Sequence, residues 1–154
     1  EEMAQQGLIT IVYGDIITPE HIANWFIEQA RKYHIIDIVA DRYRAEIVRD
    51  AFNKTGLPLS IVPAGPPTHA KIAPLITTMF AEETIVFGDN PTMRWYVNNT
   101  CVVLDPKGNT TYHKIEPRTR KTDGFFALIH ALSKDSELQD PGDFNVLSLG
   151  VYTY

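Results

Sequence analysis

The sequence has a single cysteine, Cys101, and no apolar run long enough to cross a membrane. One cysteine cannot form an internal disulfide, which excludes the small secreted domains that depend on such crosslinks. Residues 1–10 are acidic and lack the basic start and the cleavage pattern of a secretory signal. We therefore expect an intracellular protein in a reducing compartment.

An excess of positive charge is also absent, since the formal net charge is -5. Any contact with nucleic acid must then come from a local basic cluster, because the protein as a whole does not attract phosphates. The sequence contains no internal repeat, no low-complexity segment and no Gly-rich phosphate loop ending in Lys-Ser or Lys-Thr. Its histidines show no zinc-binding spacing. These absences argue against a nucleotide-driven motor, a repeat protein and a zinc protein.

What is present suffices for one compact domain, because 44% of the 154 residues are hydrophobic. Alternating apolar runs and helical patterns predict an α/β fold with a partly parallel sheet. We expect the residues from Ala64 to Thr68 to form a loop, and Pro74 to fit a helix only within its first turn. The predicted strands are 8–13, 35–40, 57–62, 84–87, 100–104 and 110–115, and the predicted helices are 19–34, 42–55, 72–80 and 123–133.

Two carboxylates lie at the ends of predicted elements, where active-site ligands often occur. Asp41 follows the apolar run 35–40, and Asp123 begins the last helix. Each also has a plain structural explanation, since Asp41 can cap the helix that follows and Asp123 gains from the dipole at a helix start. Asp37 shares the side of the strand with Asp41, but we assign it to an ion pair with a neighbour such as Lys32.

A basic run leads up to Asp123. Lys114, Arg118, Arg120 and Lys121 are candidates for contact with DNA phosphates, although Glu116 interrupts the cluster. A run of charges is also typical of an ordinary solvated surface. The sequence leaves both interpretations open.

An ordered set of motifs carries a resemblance to a known family. The motifs are Gly7-Leu8-Ile9, Gly14-Asp15-Ile16-Ile17, Ile38-Val39-Ala40-Asp41-Arg42, Asn90-Pro91 with Arg94-Trp95 and Asn99, and Arg120-Lys121-Thr122-Asp123-Gly124 with Ala127 and Ala131. Over roughly Gly7 to Leu132 the chain resembles the C-terminal nuclease domain of the large terminase subunit of tailed bacteriophages. That family has a ribonuclease H-like fold, a mixed sheet flanked by helices.

The resemblance implies a function and a set of site residues. The family cuts concatemeric double-stranded DNA during genome packaging, using two Mg²⁺ or Mn²⁺ ions held by three acids. By motif match, Asp41 and Asp123 are two of these catalytic, metal-binding acids. The resemblance further implies the host cytoplasm as location. The implied partners are DNA, the terminase small subunit, the portal protein and an N-terminal ATPase domain of the same subunit.

The sequence also departs from the family pattern. The first acid of the family lies on a strand before the segment that matches Gly7, so we expect this chain to be part of a longer protein. We assign residues 1–133 to a ribonuclease H-like domain without its first strands, with a β-hairpin added before the last helix, and residues 134–154 to a loosely structured tail. Two alternatives remain. One is a catalytically incomplete fragment that docks on DNA or the portal. The other is a resolvase or transposase, which would share the acids but not the Asn90 to Asn99 element.

Overall fold

The computed structural model describes residues 1–43 and 45–138 as a mixed α/β domain. Its elements, in chain order, are α1 (Glu2–Gln5), α2 (Pro19–Ala30), β1 (Ile38–Asp41), α3 (Ala45–Asn53), β2 (Leu59–Val62), α4 (Pro66–Ala81), α5 (Pro91–Asn98), β3 (Thr100–Leu104), β4 (Thr110–Lys114), α6 (Asp123–Leu132) and a 3₁₀ helix (Asp135–Glu137). None of the described helices is both long and apolar enough to cross a membrane.

Two small sheets organise these elements. Strands β1 and β2 are parallel, with Ile38 opposite Leu59 and Asp41 opposite Val62. Strands β3 and β4 form an antiparallel hairpin. The predicted α/β class is therefore confirmed, as are its parallel strand pair and the hairpin before the last helix.

The apolar side chains form two clusters. The first joins α4, β4 and α6, and its buried members are Ile72, Ala73, Ile76, Tyr112, Phe125 and Ile129. The second joins α2, β1 and α3, and its buried members are Ala23, Ile38, Ala51 and Phe52. Helix α6 also packs against β1, which brings the two halves of the described chain together.

Local signals set the start of α2 as the sequence predicts. The Thr18 side chain accepts a hydrogen bond from the His21 backbone N–H at 3.4 Å, and His21 Nδ1 accepts one from the Thr18 N–H at 3.1 Å. Pro19 occupies the first helical position, where its missing N–H does no harm. The helix ends at Ala30, before the predicted end near His34.

The prediction of a loop at 64–68 is wrong. Helix α4 begins at Pro66, because two prolines at the first positions of a helix lose only N–H groups that have no partner inside the helix. Gly65 precedes them with a φ of 75°, a left-handed conformation that glycine adopts without strain. The expectation that Pro74 lies in the first turn is also wrong, since it lies inside α4.

Two predicted strands do not form among the described residues. Segments 8–13 and 84–87 have no strand partner there, and some of their apolar side chains remain in solvent, with Tyr13 92% and Val86 84% exposed. A β-rich run does not form a strand without a neighbour that pairs with its backbone.

Three short helices were not predicted, namely α1, α5 and the 3₁₀ helix. In α5 the Asn90 side chain caps the Met93 N–H at 3.0 Å and Pro91 follows at the first position. The tail predicted for residues 134–154 lies outside the described residues from 139 onward, and that part stays a prediction.

Candidate metal and DNA site

Asp41 is the last residue of β1, where the parallel strand gives way to the turn before α3. Its Oδ1 accepts a hydrogen bond from the Tyr43 backbone N–H at 2.8 Å. The sequence suggested that Asp41 could cap the next helix, and this bond does stabilise the turn leading to it. One carboxylate oxygen orients the side chain in this way, and Oδ2 accepts no hydrogen bond from the described residues.

Asp123 is the first residue of α6, and its side chain is exposed. Thr122 occupies the N-cap position, but its hydroxyl makes no capping bond and lies fully buried with no hydrogen-bond partner in the described structure. The N–H groups of the first helical turn favour a negative charge at Asp123. The carboxylate therefore suits either a helix start or a cation ligand.

The packing of β1 on α6 relates the two acids. Lys134, just after α6, lies 3.8 Å from the Asp37 carboxylate just before β1, and the Asp41 charge acts on His130 one turn earlier in α6. The strand and the helix therefore run in opposite directions. The Asp41 end of β1 is therefore the end nearer to the start of α6. The distance between the Asp41 and Asp123 carboxylates stays a prediction.

Asp37 takes no part in this candidate site. Its Oδ2 pairs with Lys134, not with Lys32 as the sequence suggested, and its Oδ1 accepts the Ile38 backbone N–H at 2.9 Å. Both oxygens are thus used at the opposite end of β1 from Asp41. The sequence could not identify Lys134 as the partner, because the contact depends on how α6 packs against β1.

The charge of Asp41 acts on His130, a buried residue of α6. Burial lowers the pKa of His130, and the Asp41 carboxylate opposes this shift by favouring the imidazolium. The Nε2 atom of His130 is buried with no hydrogen-bond partner among the described residues. Sequence reasoning gave His130 no role, since a lone histidine on an apolar helix carries no local signal.

The four basic candidates lie along one stretch that leads into α6. Lys114 ends β4, while Arg118, Arg120 and Lys121 belong to the loop that follows and are exposed. In that loop the Arg120 Nε lies 3.7 Å from the Glu116 carboxylate. In the part of the chain that the structure describes, the other three basic side chains form no ion pair. We call residues 114–121 the basic segment.

No group of three His, Cys, Asp or Glu side chains among the described residues is arranged to hold a metal. Asp41 and Asp123 supply oxygen atoms, which Mg²⁺ and Mn²⁺ prefer over nitrogen and sulfur. The donor chemistry thus fits such an ion. The pairing of these two acids as ligands stays a prediction, as do the DNA contacts of the basic segment.

The architecture matches known structures closely enough to assign the fold. The chain superposes on the crystal structure of the HK97 bacteriophage large terminase with a TM-score of 0.75 at 19% sequence identity, over 85% of this chain and 28% of that chain. It also superposes on the large terminase nuclease from thermophilic phage G20c with a TM-score of 0.64 at 12% identity, over 79% of this chain and 64% of that one. The fold is that of a large-terminase nuclease domain.

The terminase nuclease fold is ribonuclease H-like, so both the predicted resemblance and the predicted fold class are confirmed. The chain spans less than a third of the HK97 large terminase and about two thirds of the G20c nuclease chain. In sequence it matches no protein-family model and no curated protein.

Proposed function

We propose that this chain is the metal-dependent endonuclease domain of a phage packaging terminase large subunit, and that it cleaves concatemeric double-stranded DNA in the host cytoplasm. The observation that carries the proposal is the terminase nuclease fold, in which β1 ends at Asp41 and packs beside the helix that begins at Asp123. The partners we propose are DNA, the terminase small subunit, the portal protein and the ATPase domain of the same subunit.

The roles of the two acids follow from phosphodiester chemistry. Hydrolysis develops negative charge on the attacking and the leaving oxygen, and a bound divalent metal stabilises that charge as a Lewis acid. Asp41 and Asp123 are the residues that would hold Mg²⁺ or Mn²⁺. The Tyr43 N–H fixes the orientation of the Asp41 carboxylate, so less side-chain freedom is lost when an ion binds.

The basic segment supplies the other half of the proposal. Positive side chains attract the DNA backbone without regard to sequence and bring a phosphate toward the acids. Lys114 at the end of β4 and Lys121 two residues before Asp123 lie on the stretch that connects the hairpin to α6. A duplex bound there would pass the start of α6.

A docking module that does not cut DNA is the second candidate. It is favoured by the absence, among the described residues, of a third acidic group beside Asp41 and Asp123. In that case the fragment would retain DNA affinity from the basic segment while two carboxylates alone bind a metal weakly.

Manganese titration followed by thermal unfolding tests the metal site. At ten times the dissociation constant, an ion that binds only the folded state stabilises it by about 1.4 kcal/mol, which raises the Tm of a domain this size by roughly 3–6 °C. We expect this rise for the wild type and not for the double variant Asp41→Asn, Asp123→Asn. The control variant Asp15→Asn, Asp50→Asn removes two exposed acids elsewhere and should respond like the wild type. An equal response from all three proteins would disprove the site.

Cleavage of plasmid DNA then separates the nuclease from the docking module. The assay uses this chain alone and this chain fused to a designed N-terminal strand that carries an Asp in place of the first acid of the family pattern. Metal-dependent nicking that Asp41→Asn abolishes supports the nuclease. DNA binding without cleavage by either protein supports the docking module.

A further inference from the structure

Asn99 lies directly after α5 and is completely buried, with 0% of its surface exposed. Its side chain uses both ends of the amide. Nδ2 donates a hydrogen bond to the Lys121 carbonyl at 3.0 Å, and Oδ1 accepts one from Arg120 Nη1 at 3.1 Å. A buried amide with all its bonds directed at one loop holds that loop in place.

The backbone of Asn99 holds the other end of the same loop. Its carbonyl accepts a hydrogen bond from the Ile115 N–H at 2.9 Å, and its own N–H closes α5 by donating to the carbonyls of Trp95 and Tyr96 at 3.1 and 3.3 Å. One residue therefore fixes both the beginning and the end of the loop within the basic segment.

Contacts inside the loop complete the arrangement. The Arg120 N–H donates to the Glu116 carbonyl at 3.1 Å, and the Glu116 carboxylate faces Arg120 Nε and accepts a bond from the Thr119 hydroxyl. The Arg120 guanidinium is thus held on one edge by Glu116 and on another by Asn99. Its side chain is still 48% exposed, so the remaining N–H groups can reach a ligand.

We propose that Asn99 is a positioning residue for DNA binding, one that acts through Arg120 and through the Lys121 backbone. Resting on the proposed function, this inference assigns Asn99 the task of ordering the basic segment before DNA arrives. A guanidinium already held in place loses little conformational freedom when it meets a phosphate. The same bond to the Lys121 carbonyl fixes the chain immediately before Thr122 and Asp123.

A double-mutant cycle on DNA affinity tests the link between Asn99 and Arg120. We expect Asn99→Ala and Arg120→Ala each to weaken duplex binding on the order of tenfold, the range of one charge-assisted hydrogen bond. The losses in the double variant should not multiply, because Arg120 carries part of the effect of Asn99 and only the contact with the Lys121 carbonyl acts independently of it. Asn98→Ala alters the exposed neighbour and should bind like the wild type.

A second variant separates the two contacts of the Asn99 side chain. Asn99→Asp keeps the acceptor for Arg120 but loses the donor to Lys121, so we expect it to retain more affinity than Asn99→Ala. All affinities are measured well below the Tm of each variant. Affinity losses that multiply in the double variant would overturn the proposal, and so would an Asn99→Ala protein that melts earlier but binds DNA normally.

Amide hydrogen exchange separates this inference from the proposed function. Asn99→Ala should exchange faster over residues 115–121, and Asn98→Ala should not. If the wild type fails to bind DNA, the proposed function is wrong, and the role of Asn99 in DNA binding fails with it. If DNA binds but exchange in the segment is unchanged by Asn99→Ala, the positioning role alone is wrong.

Discussion

His69 in α4 forms a side-chain hydrogen bond with the backbone of the β3–β4 hairpin. Its Nδ1 accepts a hydrogen bond from the Tyr112 backbone N–H at 3.3 Å, and its ring stacks on Phe126 with centroids 5.3 Å apart. Only the neutral imidazole can accept at Nδ1, since the imidazolium donates at both nitrogens. Burial first, and then the nearby His130 and His113, lower the pKa of His69.

This lowered pKa predicts how stability depends on pH. The unfolded chain binds a proton at His69 near the ordinary value of 6.5, while the folded protein binds it only at a lower pH. The stabilisation is therefore complete above pH 6.5 and is lost as the pH falls through the folded-state pKa. We expect the free energy of unfolding, measured by urea denaturation, to fall on acidification below pH 6.5. His69→Gln, which can still accept the Tyr112 bond, should reduce this fall.

An exposed histidine provides the control for that experiment. His34→Gln changes the same residue type on the surface and should leave the pH dependence unaltered. His130 keeps part of the effect in the His69 variant, because burial lowers its pKa as well. If wild type and His69→Gln lose stability in parallel between pH 7 and pH 5.5, His69 does not carry the effect.

Which residues the sequence could single out depended on how local their signals are, and the site roles of Asp41 and Asp123 stay predictions. Asp41 and Asp123 stand out in the sequence because each ends or begins a regular element. Asn99 and His69 do not, because their contacts reach across 22 and 43 positions of the chain. For Asn99 the sequence provided a place in the resemblance but no role.

At the scale of elements, the same distinction separates correct predictions from wrong ones. The β3–β4 hairpin was predicted because its turn is specified locally, with Asp105 Oδ1 accepting the N–H groups of Lys107 and Asn109 at 2.8 Å each. Segments 8–13 and 84–87 have strand-like composition, yet pairing is decided by neighbours that composition does not reveal. Helix α4 was predicted too short because its two opening prolines were taken as helix breakers.

Helices α5 and α6 approach each other at a glycine. A Cβ atom added at Gly124 would lie 2.3 Å from Cδ2 of the Tyr96 ring and under 3 Å from two further ring atoms. Real side chains do not come this close, so a larger residue would require the Tyr96 ring or the two helices to shift. The contact lies one residue after Asp123 and helps fix where α6 begins.

Replacing Gly124 by alanine should change the stability of the protein in two opposite ways. Gly124→Ala gains at most about 1 kcal/mol from helix propensity, but overpacking costs roughly 1–3 kcal/mol, so we expect a net loss of stability by chemical denaturation. In a Tyr96→Ala background the clash is absent, and the same substitution should be neutral or stabilising. A Gly124→Ala protein as stable as the wild type would mean that the Tyr96 ring or the two helices shift at no cost, and that the close contact does not fix the start of α6.

At the scale of the whole molecule, a negative net charge is compatible with DNA binding if the positive side chains are concentrated in one place, as they are in the basic segment. A protein with a formal net charge of -5 repels DNA at long range. Binding then depends on the few cations that reach phosphates, and each contact releases counterions from the duplex. The affinity should therefore fall with added salt by an amount set by the basic segment alone.

Two matched double variants test this localisation. Arg118→Gln with Lys121→Gln removes two positive charges from the basic segment, and Lys32→Gln with Lys54→Gln removes two exposed charges beside α2 and α3. Affinity for a labelled duplex is measured by fluorescence anisotropy over a salt series without divalent metal, so that cleavage does not interfere. Each phosphate contact adds about 0.9 to the slope of log affinity against log salt, so the first variant should lose roughly 2 from this slope and the second should lose nothing. Because both variants change the net charge equally, equal losses would show that the overall field governs binding and that the basic segment does not contact DNA.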